Sequence, residues 1–145
     1  IPRYEIDSGV PGPTIFLTSG IHGDEISGNI ILLKFCNHLK KNPLKCGRIV
    51  ALIGVNQKGF KIIKREIPIT NEDLNRLFPG KSNGTVGERI AYAIMQEVKS
   101  CKPDLVIDIH NDYFFSTPYV LLDAEKNWED NLIKTKTPAV TIVAA

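Results

Sequence analysis

Residues 14–35, "TIFLTSGIHGDEISGNIILLKF", decide the fold. The run TIFLTS (14–19) is short and apolar and reads as a buried strand. From Ile26 to Lys41 the pattern becomes helical. Ile26, Ile30, Leu32, Leu33, Phe35, Cys36 and Leu39 supply a wide apolar face, while Lys34, Asn37, His38 and Lys41 recur as a wet stripe. A strand, a polar loop and a helix make the first half of an α/β unit.

The flanking sequence continues the alternation. "SGVPGPT" (8–14) is a Pro/Gly turn, and "RIVALIGV" (48–55) is an apolar run of the kind covered on both faces. Residues 56–83 are polar and weakly periodic, and a loop of that length in a compact domain usually carries function. "GTVGERIAYAIMQEVKS" (84–100) reads as a second helix. Thr85 and Glu88 form a capping box, and Val86, Ile90, Ala93, Ile94 and Val98 face the core. "DLVIDIH" (104–110), "PYVLL" (118–122) and "PAVTIV" (138–143) supply three further strands. Strands separated by helices predict an α/β fold with a mostly parallel sheet.

At 145 residues the chain is one domain, 1–145, long enough for a single core. The net charge is +2 and no basic block stands out, which argues against nucleic acid as a partner. No apolar run approaches the roughly 18–20 residues needed to span a membrane. No basic start followed by an apolar stretch marks a signal peptide. Three cysteines, Cys36, Cys46 and Cys101, form no CxxC pair and point to buried or inert thiols in a reducing compartment, the cytoplasm. The only methionine is Met95, so both ends of the domain are expected to be incomplete.

In open α/β sheets, ligands bind beyond the carboxyl ends of strands. Three polar clusters fall there: "GIHGDE" (20–25), "NEDLNRLFPG" (71–80) and "DIHND" (108–112). His22 and Glu25 are spaced to approach one cation from a strand end and the first turn of a helix, whose N-terminus favours an ionised carboxylate. His110, ending a strand of the same sheet, can complete the His2Glu set of a catalytic zinc. Taken singly, these residues have plainer readings. An HxxE spacing is common by chance, and Asp108 with His110 could be a hydrogen-bonded pair at the end of the sheet.

"GIHGDE", "DLNRLFPG" and "DIHN" in that order resemble the succinylglutamate desuccinylase/aspartoacylase family, relatives of the zinc carboxypeptidases. "PGPTIFLTSG" and "GTVGERIAYAI" are similar as well, so the resemblance runs over about residues 9–112. It implies a three-layer α/β/α fold with a mostly parallel, mixed sheet, and one zinc per chain held by His22, Glu25 and His110. Asp73 matches the carboxylate that orients the first histidine. Asn75 and Arg76 match the pair that grips a substrate carboxylate, a task suited to the planar arginine fork. Arg65 is the candidate to polarise the scissile carbonyl, against the plainer reading of a solvated charge in "KIIKRE".

The implied activity is zinc-dependent hydrolysis of the amide bond of an N-acyl amino acid or related acylated amine, a small carboxylate-bearing substrate. A zinc peptidase and a metal-binding relative without turnover are the competing readings. The last arises because the family's general base is a glutamate in a stretch similar to "TPAVTIVAA" (137–145), where Val143 takes its place. Glu66, Glu72 and Asp112 are acids that could substitute, and none is singled out. The span 123–137 is also short for the crossover expected there, which predicts missing chain.

Overall fold

The computed structural model describes residues 1–112, 119–123 and 139–144, the last two segments as backbone strands. The elements are β1 (Arg3–Asp7), β2 (Thr14–Ser19), α1 (Ile26–Lys41), β3 (Arg48–Leu52), α2 (Gln57–Ile62), α3 (Val86–Cys101), β4 (Leu105–Asn111), β5 (Tyr119–Asp123) and β6 (Ala139–Ala144). A single 3-10 turn, Leu74–Arg76, lies between α2 and α3. The missing chain expected within 123–137 falls outside the described residues from 124 onward.

Among the described residues the strands form one sheet in the order β1-β3-β2-β4-β6-β5. The inner four are parallel, and β1 and β5 close the two edges antiparallel. This is the expected mixed, mostly parallel sheet. Side chains alternate across its faces. Phe16, Val50, Leu52 and Val106 pack with Ile94, Met95 and Val98 of α3. Leu17, Ile49, Ala51 and Ile109 pack on the opposite face with Leu32, Cys36 and Leu39 of α1. Helices on both faces make three layers. Each fully buried side chain of the size of Phe16 contributes roughly 1.5–3 kcal/mol, so the two cores bind the helices firmly to the sheet.

Several local expectations need correction. The buried face of α1 is narrower than its apolar pattern: Leu32, Cys36 and Leu39 are covered, whereas Ile30, Ile31, Leu33 and Phe35 are exposed. On α3 the Thr85–Glu88 capping box is present, but Ala91 and Met95 face the core and Ala93 is exposed. Cys36 and Cys101 are buried thiols, and Cys46 is exposed. The edge strand β1 and the six-residue α2 lie in stretches that sequence patterning leaves as coil. Asn56 starts α2 by accepting the Gly59 N–H at 3.0 Å.

The register of β2 against β4 positions the site. Thr14 N–H donates to Asp104 Oδ2 at 2.8 Å, and Asp104 N–H donates to Thr14 O at 2.8 Å. From that lock the strands run in step to Thr18 beside Asp108 and Ser19 beside Ile109. No helix among the described residues is long and apolar enough to cross a membrane.

Candidate metal centre

His22 follows β2 in a tight turn, Glu25 occupies the N-cap position of α1, and His110 lies near the end of β4. Strand pairing therefore closes an 85-residue separation to hydrogen-bonding distance. All three are buried, with 2, 6 and 8% of their surface exposed. Gly20 in this turn has φ +72°, a conformation glycine adopts without steric cost. Gly23 meets a different demand. A Cβ there would run into the backbone of Gly59 and Lys64, and its N–H donates to Arg65 O at 3.2 Å. The absent side chain lets the turn lie directly against the segment that carries Arg65.

Glu25 does not cap its helix with its side chain. Its Oε1 lies 2.6 Å from His22 Nδ1, and its Oε2 lies 2.8 Å from His110 Nδ1 while accepting the Asn111 N–H at 3.1 Å. The two imidazole rings stand 5.0 Å apart. The outer nitrogen of each ring also meets a carboxylate: His22 Nε2 is 3.1 Å from Asp73 Oδ1, and His110 Nε2 is 2.7 Å from Asp108 Oδ2.

The electrostatics follow from this alternation of carboxylates and rings. Burial works against charge on Glu25, but the two histidines outweigh it and bring its pKa down to about 2. Burial likewise disfavours a charged His110, and Asp108 and Glu25 overcome it, pushing the pKa up to about 10. Asp73 is opposed by burial too, yet the His22 ring, the Asn75 N–H and Arg65 keep it below the usual carboxylate range.

One ligand atom from each of His22, Glu25 and His110 lies within 4.8 Å of the others. Two imidazole nitrogens and one carboxylate, with each ring's second nitrogen already backed by a carboxylate, suit a divalent cation with one position left open. Asp73 Oδ1, which faces His22, also accepts the Asn75 N–H at 2.9 Å, so the same carboxylate touches the ring and starts the 3-10 turn. Asn75 and Arg76 are exposed on that turn. The Arg65 side chain is half-exposed and reaches the cluster. Its guanidinium lies 3.5 Å from Glu25 Oε1 and 3.4 Å from Asp73 Oδ2.

His38 lies exposed on α1, away from the cluster. Of the acids that could serve as a base, Glu72 is occupied elsewhere, accepting from the Thr85 hydroxyl and from Gly87 N–H at 3.1 Å. Val143 falls in β6, whose backbone register sets it opposite His110. Sequence reasoning missed Thr18, which donates to Asp108 Oδ1 at 2.7 Å, and treated Asp108 with His110 as an alternative to a metal site. The two readings coexist, because His110 uses one nitrogen for Asp108 and turns the other toward Glu25.

Residues 11–140 match the profile described as the succinylglutamate desuccinylase/aspartoacylase catalytic domain. The chain is 35% identical over 121 residues to N-alpha-acetyl-L-2,4-diaminobutyric acid deacetylase of Halomonas elongata, covering 79% of this chain and 35% of the relative. Among solved structures it is similar to a succinylglutamate desuccinylase/aspartoacylase from Rhodobacter sphaeroides, with TM-score 0.83 and 23% identity over 99% of this chain and 50% of that one. It is also similar to the product-bound ectoine utilization protein EutE (DoeB) from Ruegeria pomeroyi, with TM-score 0.79 and 24% identity over 99% and 52% of the two chains. At these identities the structural likeness shows the fold. The chain spans 35% of the curated relative's length and about half of each of these two solved chains.

Proposed function

Because the chain belongs to the succinylglutamate desuccinylase/aspartoacylase family, we propose that residues 1–145 form one catalytic domain of a zinc-dependent hydrolase. It cleaves the amide bond of an N-acyl amino acid or a related acylated amine. The buried His22–Glu25–His110 cluster carries this reading. Those three residues would hold one zinc per chain. When bound, the ion would supply a water acidified toward a pKa of about 7 and an electrophile for the scissile carbonyl.

The chain's own residues supply the rest. Asp73 accepts the outer N–H of His22 and so fixes its tautomer. Arg65, whose guanidinium lies beside Glu25 and Asp73, would donate to the oxygen on which negative charge develops. Asn75 and Arg76, on the turn that Asp73 starts, are assigned to the substrate carboxylate, where the arginine fork donates two parallel hydrogen bonds. The curated relative's name specifies an N-acetylated amino acid, which makes that class the first to assay.

A second reading rests on one observation. The β6 register sets Val143 opposite His110, and valine cannot move a proton. A metal-binding relative without turnover has this composition.

The deciding experiment incubates the zinc-loaded chain with N-acetyl and N-succinyl amino acids and, in parallel, with dipeptides, reading free amine. Amine release from the acylated amino acids alone is the expected result. Release only from dipeptides makes the chain a peptidase. Bound zinc with no turnover on either panel favours the second reading.

A further inference from the structure

We propose that Asp108 is a positioning residue for the metal centre and that Thr18 holds it in place, so that His110 presents Nδ1 to the cation. The inference rests on the zinc reading above and concerns how one ligand is aimed. Thr18 and Asp108 are direct cross-strand neighbours in the parallel pairing of β2 with β4. Thr18 is 5% exposed, and its hydroxyl lies 2.7 Å from Asp108 Oδ1. An ionised carboxylate only accepts, so the hydroxyl is the donor. Asp108 Oδ2 faces His110 Nε2 at 2.7 Å.

Each carboxylate oxygen therefore has a separate partner, and the carboxylate cannot rotate without breaking one of two bonds. With Nε2 committed to Oδ2, Nδ1 is the ring nitrogen left facing Glu25 and the candidate cation position. The chain of bonds from Thr18 to Asp108 to His110 crosses two strands whose backbones are already locked. This orientation is built into the sheet and does not wait for the cation.

The test measures zinc affinity by competition with a chromophoric chelator, together with the visible spectrum of the cobalt(II)-substituted chain. Wild type is compared with Asp108→Ala, Thr18→Val and Thr18→Ser. Asp108→Ala should bind zinc about 10–100-fold more weakly, the usual cost of removing the partner of a ligating imidazole. Thr18→Val keeps the side-chain shape but deletes the donor, and should weaken zinc by about threefold or more through the lost bond to a charged acceptor. Both should shift the cobalt absorption, which reports ligand orientation. Thr18→Ser restores the hydroxyl and should return affinity and spectrum to wild type. If Asp108→Ala fails to fold, the valine–serine contrast at position 18 decides. Zinc affinities and cobalt spectra equal in wild type and variants overturn the inference alone. A wild-type chain that binds no zinc overturns the metal reading and this inference with it.

Discussion

The site has a strand-borne half and a loop-borne half, and they are built differently. His110, Asp108 and Thr18 stand on β2 and β4, where the register is set by the ladder and by the Thr14–Asp104 exchange at its start. Asp73, Asn75, Arg76 and Arg65 lie between α2 and α3, pinned at intervals. Gly23 N–H and the Asn56 side chain both donate to Arg65 O, at 3.2 and 3.1 Å, and a lone bridge joins Ile67 to Glu72. A ladder fixes every residue along it, whereas isolated bonds leave the stretches between them to adjust. The rigid half fixes one ligand, His110, and the turn between β2 and α1 supplies the other two, His22 and Glu25. The adjustable half suits an organic substrate that must enter and leave.

The contrast can be broken most severely at a ligand. His22→Ala should lose most of the roughly one zinc per chain expected of a closed ligand set, while His38→Ala should retain it. Metal analysis of the two purified variants checks this, and equal retention sinks the site. Acidity is the next lever. In the metal-free chain His110 holds a proton up to about pH 10, and zinc must displace it. Affinity should therefore rise with pH by about tenfold per unit between roughly pH 6 and 8, measured by chelator competition. A flat profile would mean that zinc displaces no proton from His110 in this range.

The loop half is sharpened by smaller changes. Asp73→Asn should weaken zinc by about 10–100-fold and also disturb the Asn75–Arg76 turn, so binding and turnover fall together. Arg76→Lys should leave the zinc content unchanged and lower kcat/KM by about tenfold, because the charge stays and the fork goes. Wild-type kinetics for Arg76→Lys on every carboxylate-bearing substrate that is turned over would remove the clamp.

The inner strands and both long helices were legible because buried runs and helical spacing are written in neighbouring residues. β1 was missed although RYEID carries the polar/apolar alternation of a half-buried strand, because the reading followed continuous apolar runs. α1 shows the opposite failure. Its apolar residues outnumber the positions the sheet covers, so pattern alone overestimated the buried face. His22, Glu25 and His110 could be read from residue chemistry at strand ends, and Asp73 only through resemblance. Thr18 was invisible for a physical reason. Its role exists only in register, and nothing in TIFLTS states which residue of β4 will lie beside it.

The 85-residue gap between Glu25 and His110 also carries a kinetic consequence. His22 and Glu25 are near neighbours in the chain and can meet as soon as their turn forms. His110 joins them only after β4 has docked beside β2, a non-local event that is slow compared with local contacts. Tight zinc capture thus becomes a clock for that docking. In refolding from denaturant, a zinc-sensitive dye should lose its signal in step with β2–β4 pairing and after the helical signal has recovered. Loss of dye signal ahead of the helices would show that the ion gathers the three ligands before the sheet does.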